Sequence, residues 1–267
     1  MNKVAWITAL AAIIALPATA QFGGTQGARG GVPDASGPGL LVTPGAGTII
    51  SEDFADITTL PAAGWFEQNN SNPIGTTNFF QGNPVVFNAQ AGAPDAYLAT
   101  NFNNTGGAGD ISNWMLTPVL DLSQFDTFSF WTRTVTGNTF PDRMEIRLST
   151  AGASTNVGTL ATDVGDFSNL LLAINPALMV GGYPDVWTQF VINRADLPTT
   201  AGTGRIAFRY YVTNAGPAGS NSNYIGIDTV EYVENIFGPP IPTVSTLGLL
   251  LLAALIAGAA VFVLRRG

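Results

Sequence analysis

From residue 48 to about residue 234, apolar and polar residues alternate in short runs separated by clusters of glycine, asparagine and proline. Met144, Ile146 and Leu148 interleave with Glu145, Arg147 and Ser149, the period-two pattern of a strand with one buried face. In residues 127–134 the same period sets Phe128 and Phe130 on one face and Trp131 and Arg133 on the other. Further strands are expected within 48–54, 95–102, 111–122, 187–193, 205–213 and 224–233, with turns at 69–73, 106–109, 136–138 and 214–217. Residues 166–174 depart from the alternation. They read equally as the start of a short helix capped by Asp166, or as an ordered loop crossing a sheet edge. Many short strands with almost no helical periodicity predict an all-β fold, an antiparallel β-sandwich.

The two ends follow other patterns. Lys3, an apolar stretch at 4–16 and the small-residue site Ala18-Thr19-Ala20 have the three parts of a secretory signal helix, cut by signal peptidase before Gln21. In residues 21–47 about one residue in three is glycine, with Pro33, Pro38 and Pro44 between. Such a stretch buries too little apolar surface to offset its ordering entropy and reads as a flexible linker. Residues 247–264 form an apolar run without charge, broken only by Gly248 and Gly258. As a helix it covers roughly 27 Å, close to the ~30 Å hydrocarbon core of a bilayer. Arg265 and Arg266 follow at once and keep the tail cytoplasmic, which places 21–240 outside. The expected organisation is a signal at 1–20, a linker at 21–47, a β-sandwich at 48–236 and a membrane-sorting segment at 237–267.

Composition matters mainly through what it lacks. The 267 residues include no cysteine and no histidine, and Lys3 is the only lysine. Disulfides, thiolate nucleophiles, zinc–sulfur sites, histidine bases and a Schiff-base lysine in the exported body are thereby excluded. The net charge of −8 understates the acidity of the body, where seven arginines face 18 acids between Gln21 and Pro240, a balance of −11. A body so acidic is unsuited to nucleic acid, which requires clustered cations. Asp142 with Glu145, and Asp163 with Asp166, are the carboxylate pairs an acid/base hydrolase would use. Both lie in turn regions, where acids are common for structural reasons.

Several segments, in order over about 185 residues, carry a family resemblance. They include Glu52-Asp53-Phe54, Gly64-Trp65, Ser112-Asn113-Trp114-Met115-Leu116-Thr117-Pro118, Phe128-Ser129-Phe130-Trp131, Phe140-Pro141-Asp142-Arg143, Trp187-Thr188-Gln189-Phe190 and Tyr224-Ile225-Gly226-Ile227-Asp228. Together they resemble the choice-of-anchor J domains of exported bacterial proteins, relatives of cleaved-adhesin and MAM-like modules. The resemblance implies a jelly-roll sandwich with an adhesive or extracellular-matrix and envelope role and no catalysis. It also implies a structural calcium ion, for which Glu52, Asp53 and Asp228 are the candidate ligands, with amides such as Asn69 completing the oxygen shell. A lectin-like role toward an extracellular polysaccharide is the alternative, with Trp65, Trp131, Tyr183, Trp187, Tyr210 and Tyr211 as candidate rings. In Tyr210-Tyr211 strand alternation turns one ring inward and the other outward.

The C-terminal segment resembles a second family, the IPTL-CTERM sorting signals of Gram-negative bacteria. Ile241, Pro242 and Thr243 match that pattern, while Val244 stands for leucine and Leu247 stands before Gly248 where tryptophan is usual. The motif, the apolar run and the Arg265-Arg266 end imply an exosortase-type protease that cuts near the motif. The chain is then membrane-anchored before processing and at the cell surface or released after it.

Overall fold

The computed structural model describes residues 46–235, with side chains from residue 49 on. The signal at 1–20, the linker up to residue 45, the Ile241-Pro242-Thr243 motif and the apolar run at 247–264 lie outside the described residues. Among the described residues no helix is long and apolar enough to cross a membrane. Among the described residues three single-turn 3-10 helices interrupt the strands.

In chain order the strands are β1 (Ala46–Glu52), β2 (Phe66–Asn69), β3 (Asn72–Ile74), β4 (Phe80–Gln81), β5 (Leu98–Asn101), β6 (Thr105–Leu116) and β7 (Leu120–Asp121). They continue with β8 (Phe125–Thr134), β9 (Met144–Ser149), β10 (Asn169–Ile174), β11 (Thr188–Asn193), β12 (Thr203–Ala215) and β13 (Tyr224–Asn235). They form two sheets with antiparallel pairing throughout. The first runs β11-β8-β13-β5-β4 with β1 also on β13, and the second runs β10-β9-β12-β6-β2 with β3 on β6 and β7 on β12. The expected all-β sandwich is thus observed.

The core lies between the sheets and follows the alternation. Phe128, Phe130, Ile225 and Ile227 of the first sheet meet Met144, Ile146, Leu148, Ile206 and Phe208 of the second, all fully buried. Phe208 joins the two layers, with its ring 5.1 Å from Phe130 and 5.8 Å from Phe128. Along β13 the inward residues switch from odd to even numbers, from Ile225 and Ile227 to Val230 and Tyr232. A bulge makes the switch: pairing with β8 shifts between Asp228 and Glu231, and Thr229 takes a left-handed φ of 48°. One extra residue thereby keeps twelve residues of strand apolar on one face.

Two expectations are corrected. Residues 166–174 are neither a helix nor a crossing loop: β10 is the edge strand beside β9, with a register shift between Leu170 and Leu172. The bulge relaxes the strict alternation that three successive leucines violate, and Leu170 is left exposed. Asp166, expected as a helix cap, instead accepts from the Ser154 hydroxyl at 2.6 Å and from the Asn156 amide. The glycines at 106–109 belong to strand β6 rather than to a turn. A Cβ at Gly109 would come 2.5 Å from the Asn72 carbonyl of β3, so close backbone approach, not a turn, requires glycine there.

β1 pairs with the end of β13, Ala46 opposite Asn235, so the described chain enters and leaves at the same pole of the sandwich. Thr134 of β8 pairs with Ile225 at the other end of β13. Ten residue steps of strand, from Ile225 to Asn235, separate the two poles by roughly 33 Å.

Candidate functional site

The pole opposite the chain ends carries a cleft of about 350 Å³ between residues 137–142 and 179–185. Its floor is organised by Asp142, which is fully buried. Oδ1 accepts from the Tyr210 hydroxyl at 2.6 Å and from the Asn223 backbone N–H at 2.8 Å. Oδ2 accepts from the Asn138 amide at 2.8 Å and lies 2.6 Å from the Thr134 hydroxyl, whose single proton is shared with the Tyr224 carbonyl at 2.9 Å. Burial raises the Asp142 carboxyl above its ordinary pKa, against the pull of these hydrogen bonds. No arginine is among its hydrogen-bond partners. One carboxylate therefore ties β8, the lead-in to β9, β12 and the lead-in to β13 into a rigid base under the cleft.

Above that base the surface changes character. Met179 and Val180 line the cleft and are exposed, as are Phe140 and Val186, each next in sequence to a lining residue. Apolar groups exposed together on loops at one corner are a feature of contact surfaces.

The carboxylate pairs suggested for hydrolysis are not arranged as acid and base. Glu145 faces the outer side of the second sheet, where Oε2 lies 2.7 Å from Arg147 Nε and 3.0 Å from Arg209 Nη1. Burial raises its pKa, but the Arg147 hydrogen bond and the two guanidinium charges prevail and hold it low. Asp163 accepts from the backbone N–H groups of Thr159 and Leu160, and Asp166 holds Ser154 and Asn156. Each of these acids fixes a local structure.

The three acids suggested for calcium are likewise not gathered. Glu52, the last residue of β1, accepts from the Phe54 N–H, and Asp53 beside it accepts from the Ala55 N–H. Buried Asp228 accepts from the Gln90 and Ala91 N–H groups through Oδ2 and from the Thr229 N–H through Oδ1. Among the described residues no group of three or more acidic, histidine or cysteine side chains is placed to hold a metal ion. The Asn69 amide donates to the Asn104 carbonyl and its oxygen accepts from the Ser71 N–H, so it is engaged in the β2–β3 turn.

None of the six candidate sugar-binding rings is fully exposed. Trp65, Tyr183 and Tyr210 are buried, and Trp131, Trp187 and Tyr211 are half-buried. The Tyr210-Tyr211 alternation is as expected, but the outward ring is not open. Tyr211 lies between two guanidinium groups, Arg209 at 3.8 Å and Arg143 at 4.3 Å. Trp187 donates to the Asn88 carbonyl and packs edge-on against Phe87.

Sequence reading missed the buried Arg209, which stacks on Trp114 as well as Tyr211 and donates to Ser112, Glu145 and the Ala161 and Asp163 carbonyls. Its only sequence signal was a charge at an outward position between Phe208 and Tyr210.

No protein-family model matches the chain, and comparison with curated proteins finds no match. Among solved structures the chain is similar to the K1 cleaved adhesin domain of Lys-gingipain from Porphyromonas gingivalis W83, at 22% identity and a TM-score of 0.46. The match covers 68% of this chain and 96% of that one. The K3 cleaved adhesin domain of the same protein is similar at 18% identity and a TM-score of 0.45, covering 70% and 98%. A family 11 carbohydrate-binding module from Clostridium thermocellum, in complex with a mixed-linked tetrasaccharide, is similar at 14% identity and a TM-score of 0.39, covering 70% and 95%. The likeness is to these folds; what those domains bind is a property of theirs.

Proposed function

We propose that the chain is an exported, non-catalytic adhesion domain that presents the pole opposite its two chain ends to an extracellular partner. One observation carries this reading. Ala46 and Asn235 are paired neighbours at one pole, while the apolar-rimmed cleft over Asp142 lies at the other. A domain tethered through either end, or through both, thus holds the same loops outward. Asp142, Glu145, Asp163 and Asp166 serve as structural acceptors, which supports a binding role over hydrolysis. The signal at 1–20 and the motif at Ile241-Pro242-Thr243 supply export and sorting in this reading, with signal peptidase and an exosortase-type enzyme as processing partners.

The test uses the full chain expressed in a Gram-negative host that carries such a protease. Mass spectrometry is expected to find a mature chain beginning at Gln21 and ending near Ser245. A Thr139→Cys variant, in a protein that otherwise lacks cysteine, is expected to react on intact cells with a membrane-impermeant maleimide. A chain labelled only after lysis contradicts surface presentation, and an intact C-terminus shows a permanent anchor instead of a sorting signal.

A further inference from the structure

A second cleft, of about 450 Å³, opens between the β2–β3 turn and the turn at 158–163. Its volume is within the ~300–1,000 Å³ typical of small-molecule sites. Exposed Ile74 stands on one wall and exposed Leu160 on the other. Between them lie the Asn72 amide and the hydroxyls of Thr159 and Thr162, none of which has a hydrogen-bond partner among the described residues. The Asp110 carboxylate completes the set. Its Oδ1 accepts from the Asn214 N–H, which fixes its orientation and leaves Oδ2 without a partner.

The walls are held in place by bonds behind the cleft. The Asn70 amide donates to the Gly158 carbonyl at 2.9 Å and so fastens one wall to the other. The Ser71 hydroxyl accepts from the Ser112 N–H. Asp163 brackets the opposite turn through the Thr159 and Leu160 N–H groups, and Arg209 grips the same turn through the Ala161 carbonyl. The turns that carry these side chains are therefore held before a ligand arrives, which reduces the entropic cost of binding.

The chemistry of the lining selects among ligands. No lysine or arginine lines the cleft and the Asp110 carboxylate does, so an anion is disfavoured. Amide, hydroxyl and carboxylate oxygens interleaved between two aliphatic walls match a ligand with hydroxyl edges and C–H faces. We propose that this cleft binds a neutral saccharide, with Asn72 and Asp110 on its hydroxyls and Ile74 and Leu160 against its ring faces. The assignment stands apart from surface presentation, because binding in solution requires neither export nor sorting.

The test is calorimetry and saturation-transfer NMR on the full chain, purified in a detergent without a sugar headgroup. The probes are neutral oligosaccharides of glucose, xylose and mannose. At least one is expected to bind. Asn72→Ala is expected to weaken it about tenfold, the order expected for one lost hydrogen bond. Asp110→Asn keeps an acceptor and is expected to retain affinity within a few fold. Val85→Ala, exposed on the loop over the first sheet and away from both clefts, leaves it unchanged, and unchanged melting confirms that each variant is folded. Absence of binding by every saccharide, or wild-type affinity in Asn72→Ala, overturns the proposal. So does loss of binding in Asp110→Asn accompanied by binding of lysine amide, which identifies a cation site instead.

Discussion

The outer faces of the two sheets are both closed, but by different chemistry. On the first sheet, the loop at 82–96 lays Phe87 onto Tyr97, Tyr224 and Trp187, with the Arg133 guanidinium 4.5 Å over the Phe87 ring. Gly226 makes room for this cover, since a Cβ there would lie 2.9 Å from Phe87, Tyr97 and Trp187. Asp228 fastens the loop through the Gln90 and Ala91 N–H groups. On the second sheet, the loop at 150–168 packs Val157 and Phe167 beside Trp114, and the fastening is the buried guanidinium of Arg209. One cover is aromatic with a lone carboxylate; the other is built on a cation between two rings and a carboxylate. Each face thus carries a loop cover, fastened by a carboxylate on the first sheet and by a guanidinium on the second.

The largest expected effect follows from breaking the charged cover. Arg209→Ala removes one partner of a buried pair and leaves a gap between Trp114 and Tyr211. A loss of about 3 kcal/mol or more is expected in denaturant unfolding. Arg209→Lys is expected to recover little, because an ammonium reproduces neither the planar stack nor the fork of donors. Near-wild-type stability in either variant contradicts the role given to Arg209. On the aromatic cover, Phe87→Ala is expected to cost about 3 kcal/mol, near the low end for buried phenylalanine, since this ring lies at a loop rather than between the sheets.

pH separates the two fastenings by sign. Burial raises Asp228 to about 6, against the pull of its N–H donors. Its contribution to stability is fully present below its unfolded pKa near 4 and is lost as pH rises through about 6. Glu145 is held low by its arginines, so its contribution is present above its ordinary value and is lost as pH falls through the folded one. Melting followed from pH 4 to pH 8 is therefore expected to fall by on the order of a few degrees through the Asp228 window. Asp228→Asn is expected to reduce that slope, with raised Asp142 contributing in the same direction, and an unchanged slope in this variant assigns it elsewhere. The smallest effect concerns metal. With Glu52, Asp53 and Asp228 each bonded to separate backbone N–H groups, EDTA or excess calcium is expected to leave the melting midpoint unchanged. A calcium-dependent rise would mean that these acids rearrange into a shell.

The sandwich was legible because its core strands obey a strict period: Phe128 and Phe130, or Met144, Ile146 and Leu148, are buried as the alternation requires. Elements governed by contacts distant in sequence were not legible. Glycines 106–109 look like a turn until the β3 backbone is placed against Gly109, and the leucines at 170–172 fit a strand only through an edge bulge. The clefts were less legible still. Asp142 was visible as an acid, but the groups that bury and saturate it come from residues 134, 138, 210 and 223. Asn72 and Asp110 gave no signal at all, because their setting is made by a turn some fifty residues away from Asp110.

Presentation of the far pole is tested most directly by attaching the protein to beads in two orientations. The absence of cysteine makes single attachment points available, at Ala195→Cys beside the pole of the chain ends and at Thr139→Cys in the opposite cleft. Both bead populations are read on the same array of matrix proteins. Beads tethered through residue 195 are expected to bind and those tethered through residue 139 to fail. Equal binding by the two, or binding only through the residue-139 tether, would contradict the assignment of the recognition surface to that pole.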